Sequence, residues 1–74
     1  MSSNELLRKG NELLIRGLFE QALSCFEQAL LLDPKNAELW NQKGVTLRSL
    51  GRYDEAIECF NKALEIDPTD KNAS

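Results

Sequence analysis

Laid against itself at an offset of 34 residues, the chain matches: "FEQALSCFEQALLLDP" from Phe19 falls on "YDEAIECFNKALEIDP" from Tyr53. Upstream, Lys9, Gly10, Leu13 and Gly17 meet Lys43, Gly44, Leu47 and Gly51 at the same offset. A period of this length marks one supersecondary unit that cannot bury its apolar face alone, so neighbouring copies must stack. The repeat also disposes of an apparent coincidence. Cys25 and Cys59 are one position of the unit, occurring twice.

Each unit reads as a pair of helices. Leu6, Gly10 and Leu13, like Trp40, Gly44 and Leu47, recur at i, i+4 and i+7 and so share one helical stripe. Ala22, Phe26, Ala29 and Leu30 do the same in the next segment, as do Ala56, Phe60, Ala63 and Leu64. Ser2 followed by Glu5 has the spacing of a capping box. Gly17 and Gly51 stand where a helix ends, and Glu20, Asp54 and Glu55 put acidic charge at the positive start of the helix that follows. Proline lacks an amide donor and clashes with the preceding turn, so Pro34 and Pro68 bar continuation. The pattern predicts helices near 3–16, 20–32, 37–50 and 54–66. A mid-helix glycine costs about 1 kcal/mol relative to alanine, so Gly10 and Gly44 need a compensating contact. The expected one is close approach of the paired helix at Ala22 and Ala56.

Composition removes several function classes. With 74 residues the chain holds one small core, of the size that leaves a net stability of only about 3–5 kcal/mol. A formal charge of -3 offers no general attraction to nucleic-acid phosphates. The longest apolar run, Ala29 to Leu32, falls far short of the roughly 18 residues that cross a bilayer. "MSSNELLRKG" lacks the cationic start and apolar core of a secretory signal, which favours a cytoplasmic location. Histidine is absent, and with it the commonest general base and metal ligand. A redox role for Cys25 and Cys59 would have to work without a Cys-x-x-Cys spacing. No cofactor or metal constellation is expected.

The 34-residue period together with Trp40, Gly44, Leu47, Gly51, Tyr53, Ala56, Phe60, Ala63 and Pro68 resembles the tetratricopeptide repeat. The resemblance spans two units, 3–36 and 37–70, with 71–74 left as a truncated tail. Leu6 replaces the tryptophan in the first unit, and Lys9 and Lys43 stand where the family usually carries leucine. The resemblance implies an all-α fold, a right-handed stack of two antiparallel helical hairpins. It also implies a concave groove, lined by the first helix of each unit, that holds a peptide or partner helix. Asn4, Leu7, Asn11, Leu14 and Ile15 would line it from the first unit, and Glu38, Asn41, Val45, Arg48 and Ser49 from the second. Leu7, Leu14 and Ile15 are read either as ligand contacts or as residues that pack on the N-terminal segment or widen the core. One subtype clamps the carboxylate of chaperone tails. Asn11 matches that clamp, but Leu7 and Gln42 stand where a lysine and an asparagine belong, so the chaperone-tail reading is rejected.

In the first unit Leu23, Leu30 and Leu32 are expected to be covered by the helix that starts near Ala37. Their equivalents Ile57, Leu64 and Ile66, with Leu50 beside them, have no such helix within the two units. Thr69 or Asp70 looks like the N-cap of a further helix. The edge is expected either to join further repeats of a longer array or to be covered by a second copy. The expectation is therefore a protein or peptide ligand in the groove and, for the isolated chain, homo-oligomer formation, most simply a dimer, through this open edge. A purely structural, self-assembling repeat is the alternative, with a cysteine-based redox enzyme a distant third.

Overall fold

A computed structural model describes residues 1–68 of the chain. The elements are α1 (Ser3–Ile15), α2 (Phe19–Leu32), α3 (Ala37–Ser49) and α4 (Tyr53–Ile66), and no strand occurs among the described residues. The tail 71–74 and the proposed cap at Thr69 or Asp70 lie outside them.

Local chemistry accounts for the helix ends. The Glu5 backbone N–H donates to Ser2 Oγ and the Ser2 N–H donates to Glu5 Oε1, which completes the capping box on α1. Asn36 caps α3 by accepting from the Glu38 and Leu39 amides. Gly17 and Gly51 take φ of 78° and 80°, a left-handed conformation that glycine adopts without a Cβ penalty. Around them the chain reverses by paired bonds: Gly17 N–H to Leu14 O and Leu18 N–H to Leu13 O, repeated as Gly51 to Arg48 and Arg52 to Leu47. This double closure satisfies helix-end carbonyls and draws the ends one residue earlier than periodicity suggests. Arg16 and Leu50 become caps, and Phe19 and Tyr53 open α2 and α4.

Short connections at 16–18 and 50–52 fold α1 on α2 and α3 on α4 as antiparallel hairpins, and α3 packs in turn on α2. The glycine contacts differ from expectation. A Cβ on Gly10 would sit 2.5 Å from the Phe26 ring, and one on Gly44 would sit 2.6 Å from Phe60. The glycines therefore admit an aromatic ring, one turn beyond the alanines expected there. A ring needs far more space than a methyl group. Ala22 and Ala56 are buried beside these contacts.

Phe26, Leu39, Thr46 and Leu47 are fully enclosed. The Thr46 hydroxyl donates to the Gln42 carbonyl at 2.8 Å, so burial leaves no polar atom unsatisfied. Leu23 and Leu30 are covered as expected, at 5 % and 7 % exposure, but Leu32 is not, at 60 %. Two residues beyond Leu30 on a helix is a turn of about 200°, which points Leu32 away from α3. The expectation for Leu32 was wrong.

Candidate interaction surfaces

Two surfaces stand out, one on α1 and α3 and one on α4. On α1, Leu7 and Leu14 are half-buried and pack against the core, so most of their apolar area is engaged within the hairpin. Asn4 is exposed, and Ile15, at the helix end, is 85 % exposed. On α3, Asn41 and Val45 are half-buried while Glu38, Arg48 and Ser49 are exposed. Gln42 Nε2 donates to Asn11 Oδ1 and so ties α3 to α1. Ser49 Oγ donates back to the Val45 carbonyl.

The second surface is the outer side of α4. Ile57 and Leu64 are 55 % and 44 % exposed, and the start-of-helix Tyr53 is exposed with them. Phe60 is half-buried, although its equivalent Phe26 is fully enclosed. Leu50 is half-buried against the core cluster of Leu23, Leu47, Ala56 and Cys59. Ile66 leaves this set: it repeats Leu32, which stays exposed even with a helix stacked behind it, and it lines a separate depression with Trp40 and Pro34. The edge is thus Tyr53, Ile57, Phe60 and Leu64. Residue-by-residue comparison of the two repeats could have placed Tyr53 and Phe60 there.

The Trp40 depression was not anticipated. It encloses about 700 Å³ between the 34–35 connection and the end of α4, with Lys35, Lys62 and Glu65 at its rim. The Trp40 indole N–H donates to the Pro34 carbonyl at 2.8 Å, and Lys43 Nζ lies 5.5 Å from the ring centroid and 3.7 Å from Glu27. Leu39 and Thr46 were missed as well. They form a second buried stripe of α3, facing α2, and comparison of the repeats concealed it because α1 carries Glu5 and Glu12 at the equivalent positions.

Electrostatics is local. Arg52 forks onto Glu55 through bonds of 3.0 and 2.8 Å, which holds the Glu55 carboxyl below the ordinary range and clamps the start of α4. The Ser2 backbone and hydroxyl likewise hold the Glu5 carboxyl low. Cys25 and Cys59 are buried free thiols, and burial pushes the Cys59 thiol up, away from the thiolate form that reacts. No group of metal-ligating side chains and no helix long and apolar enough to cross a membrane occurs among the described residues.

The tetratricopeptide repeat family model matches residues 3–36 and again 37–70. The chain belongs to the tetratricopeptide repeat family. Over 46 residues, 62 % of the chain, it is 39 % identical to an inactive TPR repeat-containing thioredoxin, TTL3, of Arabidopsis thaliana. That stretch is 7 % of the length of the relative. Tetratricopeptide repeats generally serve protein–protein interaction, without catalysis of their own.

Proposed function

We propose that this tetratricopeptide pair is a noncatalytic interaction module with two working surfaces. The α1/α3 face takes an extended or helical peptide, and the α4 edge takes a second copy of the chain. The observation that carries the reading is the contrast within the repeat: the α2 stripe is sealed by α3, whereas its α4 counterpart is open among the described residues. Exposed apolar stripes of this kind usually mark interaction surfaces. For the peptide face, support comes from the mixture of half-buried apolar side chains, Leu7, Leu14 and Val45, with the carboxamides of Asn4 and Asn41. Apolar walls supply affinity there and the amides meet a peptide backbone. The buried, upshifted Cys59 thiol weighs against a redox enzyme. Unpaired thiols fit a reducing compartment, in keeping with a cytoplasmic location.

A peptide-display selection against the immobilised chain, followed by calorimetry, tests the groove. The expected binders lose about tenfold or more in affinity, roughly 1.4 kcal/mol, with Asn41→Ala or Arg48→Glu, and keep it with Lys62→Glu beside Trp40. Binders sensitive only to Lys62→Glu would reject the groove. A structural self-assembling repeat is the second reading, favoured by the open α4 stripe. It is the one that remains if no peptide binds.

A further inference from the structure

The spacing of the open stripe defines what fits it. Tyr53, Ile57, Phe60 and Leu64 follow one another at intervals of four, three and four residues, the alternation that lets two helices interlock side chains along a straight seam. One flank of the stripe is Ala56 and Ala63, already buried. The other flank is Asp54 and Asn61, both exposed.

A second copy has two ways to cover this stripe. Head-to-tail stacking would set its α1 where α3 sits on α2. There the fully buried Leu39 and Thr46 of α3 are replaced by Glu5 and Glu12, which stand with Arg8 and Lys9 on an exposed, charged face. Glu5 is also committed to the Ser2 cap. Stripping water from two carboxylates without built partners costs several kcal/mol each, so α1 is a poor cover. The stripe of another α4 carries no charge at all. Laid parallel, two α4 helices would set the Asp54 flank of each copy against the Ala56 and Ala63 flank of the other, which is already buried within its own hairpin. Laid antiparallel, with the axis between Ile57 and Phe60, they set Tyr53 against Leu64, Ile57 against Phe60 and Asp54 beside Asn61, whose carboxamide donates to it. Opposed helix dipoles favour the same arrangement.

We infer that a second copy docks on α4 through an antiparallel, twofold α4–α4 seam, giving a closed dimer and no open filament. This rests on the self-association half of the proposed function. A seam of four side chains per copy lies toward the low end of interface sizes, below about 1,200 Å², where association is transient. The dimer is therefore weak and concentration-dependent.

The test uses the full chain. Sedimentation equilibrium from about 10 μM to about 1 mM, where weak affinities are read, is expected to fit monomer and dimer alone. Ile57→Lys with Leu64→Lys is expected to weaken the dimer by about tenfold or more while far-UV circular dichroism stays unchanged. Under mild oxidation, Asp54→Cys chains mixed with Asn61→Cys chains are expected to link to each other faster than either links to itself. A mass that grows past the dimer overturns the closed arrangement. Preferential self-linking of Asp54→Cys overturns the antiparallel register, as does assembly indifferent to the lysine pair. A chain monomeric throughout removes the self-association reading itself, whereas a dimer linked in the wrong register removes only this geometry.

Discussion

α2 and α4 are nearly the same helix in two surroundings. Phe19, Leu23, Phe26 and Leu30 on one repeat as Tyr53, Ile57, Phe60 and Leu64 on the other, and the alanines and cysteine between them are buried in both. What separates them is α3. It brings Leu39 into the cluster of Ala22, Phe26 and Leu30 on α2, with Thr46 fully enclosed on the same stripe of α3, and nothing equivalent lies on α4 among the described residues. Similar side chains are structural on one helix and available on the other, so burial, and through it energetic weight, belongs to the neighbour as much as to the residue.

The aromatic pair gives the largest test of that contrast. Phe26→Ala removes a fully enclosed ring and is expected to cost about 3–5 kcal/mol, comparable to the whole stability of a domain this small. Phe60→Ala should cost distinctly less, because its ring is already partly exposed. Urea midpoints of the two variants at low protein concentration measure the difference, and equal losses would mean that α4 is as well covered as α2.

The glycines sharpen the same comparison at smaller scale. Gly10→Ala gains about 1 kcal/mol of helix propensity but drives a methyl into the Phe26 ring, which has no room to retreat. Overpacking costs about 1–3 kcal/mol, so a net destabilisation is expected. Gly44→Ala meets Phe60, whose ring can swing toward the open edge, and should be close to neutral. The reverse order in thermal unfolding would show that the Phe60 ring is the more confined.

Caps come next. Asn36→Ala removes the acceptor for two amides of α3 and is expected to cost about 1 kcal/mol, weakening the cover over α2. Ser49→Ala removes only an exposed bond to the Val45 carbonyl and should lie within about 0.5 kcal/mol. Denaturant midpoints that place the two together would deny Asn36 its capping role.

The smallest effect is a pH dependence. Glu5 is held below its ordinary carboxyl range by the Ser2 cap. A group whose folded pKa is depressed contributes stability above its unfolded pKa and loses it as pH falls through the folded value. The cap should therefore weaken on acidification through and below the usual glutamate range, and Ser2→Ala should flatten that part of the stability profile. A Ser2→Ala profile parallel to that of the unaltered chain would show that Glu5 is ionised for another reason.

Periodicity and end signals made the hairpins legible before any coordinate. Stripes at i, i+4 and i+7, left-handed glycines and helix-stopping prolines act within a few residues, so the sequence exposes them directly. Contacts between units were less legible. Leu39 and Thr46 are hidden from repeat comparison because Glu5 and Glu12 break the repeat there, Leu32 turns away from the face that its place in the repeat suggests, and the glycines meet phenylalanines one turn beyond the alanines. Trp40 was recognised as a repeat residue, but its hydrogen bond to Pro34 and the depression beside it depend on how the 34–35 connection approaches the end of α4.

By itself, then, the sequence determined that the chain makes two like hairpins, because helix formation and its termination are local and the 34-residue period repeats both. Only the tertiary structure decided which of the like residues are core and which are surface. That choice depends on a neighbouring helix distant in sequence, and water is excluded from Leu23 and admitted to Ile57 by what packs against them.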